Sequence, residues 1–441
     1  MYVTLCGAAR TVTGSCFLLE VEDKKILIDC GMFQGKVEHL NSLPFPFKPH
    51  KIDALILTHA HLDHVGRVPK LVKEGFKGDI IATKATFDLA RIILIDSAKI
   101  QEEETEKGER DSPLYSIEDV ERSFKRFNTW VNYNEDIKIG KIKIKFKDAG
   151  HILGSSFLEI QTKDKKITFS GDLGNKGKPI VRDPEEPSKT HYLFLESTYG
   201  DRNHRSIEES VAELREAILT TFERGGNVII PSFALERTQD ILYFLREFYE
   251  KNILPRCRVF VDSPLATSAT QIFLNHPECF DSETLKIFMQ KDPFDFPYLK
   301  FTRKVAESKE INHIESRAII IAGAGMCTGG RILHHLKHNI EREECSIIFI
   351  GFQAEGTLGR EIVDGAKIVK ILGGEYKVKA KIYTINGFSA HADQHQLIEW
   401  AKKADPLKIF LVHGEEKKSK VLKSKLKECY IPRMMEKITL P

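Results

Sequence analysis

The stretch that most constrains the chain is residues 59–64, which read His-Ala-His-Leu-Asp-His. It follows the apolar run 54–57, which has the character of a buried strand, and Gly66 lies just beyond it, where the chain turns. Imidazole and carboxylate are the ligand types that suit zinc and similar ions. Three histidines and one aspartate at a strand end therefore predict a metal site. His59 and His61 could bind one ion, and Asp63 and His64 could face a second ion beside it.

The length and composition of the chain favour a soluble globular protein of two domains, because 441 residues are more than one hydrophobic core typically accommodates. The net charge of +3 excludes a global basic field, so any polyanion would have to be recognised by a local patch. The eight cysteines form no CxxC pair and no secreted-type framework, which predicts reduced thiols. We see no signal peptide and no apolar run long enough for a bilayer, so we expect a cytoplasmic protein.

Other candidate site residues lie at the ends of apolar strands, beside glycine or a turn. Asp29, Asp172 and Glu196 directly follow or end such strands, and His391 and His413 each lie beside a turn after a strand. A further candidate, flanked closely by glycines, is His151. Each residue alone also fits an ordinary turn or loop position. Converging strand ends, however, are how α/β folds build a site.

Together these residues provide ligands for two zinc ions. The first ion could be bound by His59, His61 and His151. The second could be bound by Asp63, His64 and His413, and Asp172 could bridge the two ions. Two ions about 3.5–4 Å apart can hold a hydroxide and stabilise both the attacking and the leaving oxygen at phosphorus.

Three residues have supporting roles in this hypothesis. Asp29 is placed to accept a hydrogen bond from a ligand histidine. A phosphodiester also needs a proton for the departing oxygen. We assign that proton to His391 as general acid, with Glu196 orienting it and keeping it protonated.

Residues 201–375 alternate strands and helices, which predicts a parallel sheet covered by helices on both faces. This region contains the Gly-rich loop 323–331, which matches neither a dinucleotide fingerprint nor a Walker loop. Glycines permit close backbone approach, a helix N-terminus favours an anion, and an arginine can fork onto a phosphate. We therefore predict phosphate binding, with a purely structural turn as the alternative, by Thr328, Gly329, Gly330 and Arg331.

Two ordered sets of residues resemble a known family. The first set resembles the metallo-β-lactamase superfamily and comprises Asp29, 59–64, His151 and Asp172. The second set, with a βα-rich insertion, resembles the β-CASP branch of nucleases and comprises Glu196, His391 and His413. Within that branch the chain resembles RNA endonucleases related to the cleavage subunit of the cleavage and polyadenylation specificity factor, and their compact prokaryotic relatives.

The resemblance implies an α/β protein with an αββα metallo-β-lactamase sandwich built from residues 1–200 and 376–441. A parallel-sheet β-CASP domain, residues 201–375, would be inserted, with RNA in the cleft between the domains. Zinc is the implied metal, at two ions per chain. Asp63 and Asp172 would contact the nucleophile.

The resemblance further implies a phosphate contact at Ser389, and a histidine at 413 favours RNA over DNA. The implied activity is zinc-dependent hydrolysis of single-stranded RNA, endonucleolytic, in RNA processing or decay. Three alternatives stay open: a 5′–3′ exoribonuclease, a small-molecule ester or thioester hydrolase with the same site, and a non-catalytic RNA-binding scaffold. We expect no membrane partner and allow for a homodimer.

Overall fold

The computed structural model describes residues 1–351 and 353–441, which divide into two units. The first unit comprises Met1–Lys176, Asp183–Asn203 and His391–Pro441, and the second comprises Gly177–Arg182 and His204–Ala390. The second unit thus continues beyond residue 375, the limit expected from the sequence. The reason is a strand at Lys381–Thr384, which pairs with the sheet of the second unit.

The first unit contains two seven-stranded sheets. The strands of the first sheet are β1 (Tyr2–Leu5), β2 (Phe17–Val21), β3 (Lys24–Ile28), β4 (Ala54–Ile56), β5 (Asp79–Thr83), β6 (Thr129–Val131) and β22 (Lys437–Thr439). They lie in the order β22-β1-β2-β3-β4-β5-β6, and β3 to β6 are parallel.

The strands of the second sheet are β7 (Asp136–Ile139), β8 (Ile142–Asp148), β9 (Ser156–Gln161), β10 (Lys166–Phe169), β11 (Tyr192–Glu196), β20 (Lys408–Val412) and β21 (Cys429–Tyr430). They lie in the order β21-β20-β11-β10-β9-β8-β7, with β10, β11 and β20 parallel. The C-terminal segment therefore adds β22 to the first sheet and β20 and β21 to the second, which is why it can supply a site residue.

The two sheets pack face to face over an aromatic core. Phe17 of the first sheet lies 5.9 Å, between ring centroids, from Phe169 of the second, which stacks on Phe194 at 4.5 Å. The helices of this unit are α1 (Leu62–Val65), α2 (Val68–Lys73), α3 (Lys84–Glu106), α4 (Ile117–Phe124), α12 (Gln394–Ala404) and α13 (Glu416–Lys423), with 3₁₀ turns at Gly35–Ser42 and Pro49–Lys51. Trp400 of α12 packs on the outer face of the second sheet, and α3 contacts β5 of the first. The predicted αββα sandwich is confirmed.

The second unit is built on a six-stranded parallel sheet. Its strands are β12 (Val228–Pro231), β13 (Arg258–Asp262), β14 (Leu299–Phe301), β15 (Ala318–Ala322), β16 (Ser346–Phe349) and β19 (Lys381–Thr384), and a separate antiparallel pair is formed by β17 (Ile368–Ile371) and β18 (Gly374–Lys377). The sheet order is β14-β13-β15-β12-β16-β19. The central strand β15 reads Ala-Ile-Ile-Ile-Ala and is buried throughout, as expected of a parallel strand covered on both faces.

The helices of the second unit are α5 (Ile207–Glu223), α6 (Arg237–Glu250), α7 (Pro264–Leu274), α8 (Ser282–Phe288), α9 (Val305–Ile311), α10 (Ile332–Asn339) and α11 (Leu358–Val363), with a 3₁₀ turn at Pro277–Cys279. All eight cysteines of the chain are free thiols, seven of them buried. Among residues 1–351 and 353–441, no helix has both the length and the apolar character to cross a bilayer.

Candidate active site

Polar side chains of the first unit meet where its parallel strands end. Asp29 follows β3, and His59 lies three residues beyond β4. On the second sheet, Asp172 lies three residues beyond β10, Glu196 is the last residue of β11, and His413 follows β20. Because the strands of each group run parallel, their carboxyl ends lie at one edge and bring these side chains together.

Three histidines form the first candidate ligand set. His61 Nδ1 lies 3.1 Å from His59 Nε2 and 3.1 Å from His151 Nε2. One N–H at His61 Nδ1 could serve only one of these contacts, whereas a cation would satisfy all three lone pairs. A tetrahedral zinc with Zn–N distances of about 2.0–2.1 Å places its ligand nitrogens about 3.3 Å apart. The spacing therefore fits a zinc-sized ion.

The second set joins the chain's two ends. His64 Nε2 lies 3.2 Å from His413 Nε2, which lies 3.3 Å from Asp63 Oδ2. The ligand atoms of these three residues can all lie within 4.8 Å of one another, as can those of the first set together with Asp172. The predicted residues for both ions are thus brought together.

Asp172 lies between the two sets. Its Oδ2 atom is 3.3 Å from His64 Nε2, 3.5 Å from His59 Nε2 and 3.6 Å from His151 Nε2. Its Oδ1 atom is buried and lies 3.3 Å from His413 Nδ1, and among the described residues no contact to Oδ1 has hydrogen-bond geometry. A cation bound between this carboxylate and the surrounding imidazoles would satisfy the lone pairs that these contacts leave.

The electrostatics keep the first set in the form that binds metal. Burial lowers the pKa of His61 to about 4 and holds the pKa of His59 well below its ordinary value. Neutral imidazole is the ligand form. For His64, burial opposes protonation, but the carboxylates of Asp172 and Asp29 outweigh it and raise the pKa well above its usual range. The carboxylates of Asp172 and Asp29 therefore favour a positive charge in this part of the site.

Hydroxyl groups that the sequence reasoning missed orient several ligands. Thr58 Oγ1 lies 3.1 Å from His59 Nδ1 and donates to Asp29 Oδ2 at 2.9 Å. Thr198 Oγ1 lies 3.2 Å from His413 Nδ1. In each case the contact at Nδ1 leaves Nε2 pointing to the ligand cluster, as second-layer partners do in metal sites. Only their positions in the sequence could have pointed to these threonines. Thr58 is the residue before the candidate ligand His59, and Thr198 lies two residues after the end of β11.

Two glycines allow the site loops to approach closely. A Cβ added to Gly31 would lie 1.6 Å from the carbonyl oxygen of Asp63. A Cβ added to Gly174 would lie 1.8 Å from the carbonyl oxygen of Gly150, next to His151. No side chain fits at these two positions, so both ligand-bearing loops depend on glycine.

His391 and Glu196 form a pair beside the ligand cluster. His391 Nδ1 lies 3.2 Å from Glu196 Oε1, and the carboxylate also accepts from the backbone N–H groups of Leu173 at 2.8 Å and Thr198 at 3.3 Å. Glu196 is fully buried, whereas the His391 side chain is 21% exposed. Burial acts to lower the pKa of His391, but Glu196 overcomes it and raises that pKa. The imidazole is thus oriented and favoured in its protonated form.

The predicted phosphate residues lie in the second unit. Arg331 Nη1 donates to Asp262 Oδ1 at 2.7 Å, and Nη2 donates to the carbonyl oxygen of Arg303 at 2.6 Å. The Gly-rich loop closes on itself, because the Ala324 N–H donates to the Gly329 carbonyl at 3.2 Å. Part of the Arg331 guanidinium is therefore bound to the end of β13 and to the segment that follows β14. Ser389 is buried, two residues before His391 in the chain.

Comparison with known proteins identifies the class. Residues 9–232 match the metallo-β-lactamase superfamily, residues 238–362 match the Beta-Casp domain, and residues 375–432 match the Zn-dependent metallo-hydrolase RNA specificity domain. The chain belongs to the metallo-β-lactamase superfamily, in its β-CASP branch. Domains of this class and the His/Asp cluster support a divalent metal.

Named relatives lie within the same class. The chain is 41% identical over 419 residues to "Ribonuclease TTHA0252" of Thermus thermophilus, covering 95% of this chain and 94% of that protein. It is 32% identical over 436 residues to "Transcription termination factor FttA" of Methanosarcina mazei, covering 94% of this chain and 67% of that protein. A crystal structure of a protein of unknown function from Enterococcus faecalis V583 matches with a TM-score of 0.60 at 16% identity, over 100% of this chain and 99% of that one. This last likeness concerns the fold alone.

Proposed function

We propose that the protein is a zinc-dependent ribonuclease that hydrolyses phosphodiester bonds of single-stranded RNA, acting endonucleolytically in RNA processing or decay. The observation that carries the proposal is the pairing of two complete ligand sets with the His391–Glu196 pair in one unit. The relative named a ribonuclease, and the match to an RNA specificity domain over residues 375–432, support RNA as the substrate.

The proposed cofactor is two zinc ions per chain. One would be held by His59, His61 and His151 and the other by Asp63, His64 and His413, with Asp172 between them. When bound, the ions supply a water that is nucleophilic at neutral pH and positive charge for the oxygens at phosphorus. Asp29 takes no part as a ligand and acts by fixing the His64 ring, which it contacts at 2.7 Å.

The chain's own groups perform the remaining steps. Asp63 and Asp172 orient the attacking water through their carboxylate oxygens. As the phosphorus–oxygen bond to the leaving group breaks, His391 donates a proton to the departing oxygen. His391 Nδ1 faces Glu196, so the proton leaves from Nε2. The raised pKa of His391 favours the form that can donate.

The proposed phosphate contacts are Ser389 and the loop residues Thr328, Gly329, Gly330 and Arg331. These residues would hold the RNA strand by its backbone, because amides and a guanidinium bind phosphate without reading the base. A homodimer stays a prediction, and sedimentation analysis of the zinc-loaded protein would measure it.

The proposal is tested with three substrates in parallel. The zinc-loaded protein is given a 5′-labelled single-stranded RNA, a DNA of the same sequence, and a generic carboxylic ester. We expect internal cleavage of the RNA alone. Preferential ester hydrolysis would favour the small-molecule hydrolase, and binding of RNA without cleavage would favour the scaffold. Mononucleotide release from the 5′ end, with no internal products, would favour the exoribonuclease.

A further inference from the structure

An aromatic ring in the second unit is exposed although its backbone is hydrogen-bonded to neighbouring side chains. Phe233 lies in the segment that follows β12, at the carboxyl edge of the parallel sheet, and remains 39% exposed. Its backbone is firmly held: the Phe233 carbonyl accepts from Thr238 Oγ1 at 2.8 Å and from Ser232 Oγ at 3.2 Å. The held backbone therefore presents the ring at a defined place on the surface.

The ring rests on glycine backbone from two neighbouring loops. A Cβ added to Gly325 would lie 2.8, 2.9 and 3.0 Å from three consecutive ring atoms, which places Gly325 over the face of the ring. A Cβ added to Gly351 would lie 3.2 Å from the same edge of the ring. Gln353 ties the two loops together, because its Nε2 atom donates to the carbonyl oxygens of Gly325 at 3.0 Å and of Gly351 at 3.1 Å.

We propose that Phe233 is a stacking platform for one unpaired nucleobase of the RNA substrate. The inference rests on the proposed function and adds a subsite to it. Glycine backbone supports one face of the ring, and the exposed fraction remains for a base, whose flat π surface is the ligand that an aromatic face prefers. A base on Phe233 also lies beside the Gly-rich loop, because the ring contacts Gly325, a member of that loop. One nucleotide could then be held by base and phosphate together.

If a base stacks on Phe233, RNA binding should depend little on which base it is, and the base should have to be unpaired. Every base has a π face, so stacking does not read sequence. A base inside a duplex is already stacked and cannot reach the ring without unpairing. The platform would therefore give this unit its preference for single strands, which phosphate contacts alone would not supply.

The test measures RNA binding by full-length, zinc-loaded protein in a His391→Ala background, which slows cleavage. The probe is a fluorescent eight-nucleotide single-stranded RNA, and a parallel series carries one abasic site at each position. We expect Phe233→Ala to weaken binding of the intact RNA about 5- to 100-fold. Phe233→Trp should bind as tightly as the parent protein, and Phe233→Leu should stay weak. Met289→Ala, which removes another exposed apolar side chain of the same unit, should change nothing.

The abasic series makes the assignment specific. The parent protein should lose affinity at one abasic position, and Phe233→Ala should show no further loss at that position. Equal binding by Phe233→Ala and the parent would overturn the proposal, and so would a loss shared by every abasic position. A lowered unfolding temperature in Phe233→Ala, with Phe233→Leu binding normally, would instead make the ring a packing or protein-contact residue. Absence of RNA cleavage by the wild-type protein would refute the proposed function and is scored separately.

Discussion

His64 Nδ1 lies 2.7 Å from Asp29 Oδ2, although 35 residues separate the two in the chain. The contact fixes the orientation of the His64 ring and directs Nε2 toward His413 and Asp172. The Asp29 carboxylate is itself held, because it accepts from the Thr58 N–H at 2.8 Å and from Ser15 Oγ at 3.1 Å. A network of protein groups thus orients the His64 ring, one of the proposed ligands, without help from a metal.

Replacing Asp29 by asparagine should weaken metal binding without removing a ligand. We expect about a 10- to 100-fold loss of zinc affinity, because second-layer partners of ligand histidines contribute effects of this size. Competition with a chelating dye measures it. Asp23→Asn, at a carboxylate whose side chain is 81% exposed, is the matched control and should bind zinc normally. Unchanged zinc affinity in Asp29→Asn would remove Asp29 from the site.

His391 should matter for poor leaving groups and little for good ones. We expect His391→Ala to lower RNA turnover about 10²- to 10⁴-fold, the range typical of a general acid, with zinc content near wild type. Turnover of bis(p-nitrophenyl) phosphate should fall far less, because p-nitrophenolate departs without a proton. Glu196→Gln should show the same selective loss in weaker form. Loss of zinc from His391→Ala, measured by elemental analysis, would make His391 a ligand instead.

Gly174 should be intolerant of any side chain. Gly174→Ala would place a methyl group 1.8 Å from the Gly150 carbonyl oxygen and force the loops of His151 and Asp172 apart. We expect loss of both zinc and RNA cleavage. Gly108→Ala is the control: its Cβ meets open space, and the cost is only that of the left-handed backbone, about 1 kcal/mol. Retention of both ions by Gly174→Ala would contradict the close approach of these loops.

Asp262 makes the second unit sensitive to acid. Burial alone would raise the pKa of Asp262, but hydrogen bonds from His335, Ser308, Thr302 and Arg331 hold that pKa well below its usual range. The folded-state pKa is therefore depressed. The stabilisation is present above the unfolded value of about 3.9 and is lost as pH falls through the folded-state value.

Asp262→Asn tests this linkage. At pH 7 we expect the variant to lose about 3–5 kcal/mol, since His335 and Arg331 lose their charged partner. Its deficit in urea unfolding should shrink as pH falls from about 5 toward 3, because the unfolded wild-type chain then binds a proton at Asp262 that the folded protein does not. The exposed Asp295→Asn serves as control. A deficit that stays constant over this pH range would contradict the assignment.

Much of the site could be predicted because its residues follow strands that are apolar in the sequence. The His cluster at 59–64 and the strand-end carboxylates Asp172 and Glu196 were recognisable from local pattern alone. Parallel strands then place such ends at a common edge, whatever the order of the strands. The family resemblance supplied the αββα sandwich and the assignment of both chain ends to one domain.

Other features depend on packing between segments distant in the chain and left no local mark. Asp262 is the last residue of β13 and accepts a hydrogen bond from Arg331, 69 residues away in the chain. The predicted limit at residue 375 fell before β19, since a four-residue strand with no fully buried side chain gives little signal of which sheet it joins. Thr58 and Thr198 are common residue types, and only the folded positions of the ligand rings make their hydroxyls informative.

The central claim is that RNA cleavage requires metal ions held on both sides of Asp172. The most direct measurement removes zinc from the wild-type protein with a chelator, returns it stepwise, and follows cleavage of the labelled RNA together with bound zinc. Asp172→Ala is carried through the same titration. We predict activity that rises to a plateau at two zinc ions per chain in the wild type and none at any zinc concentration in the variant. RNA cleavage by Asp172→Ala, or by wild-type protein free of metal, would contradict the account.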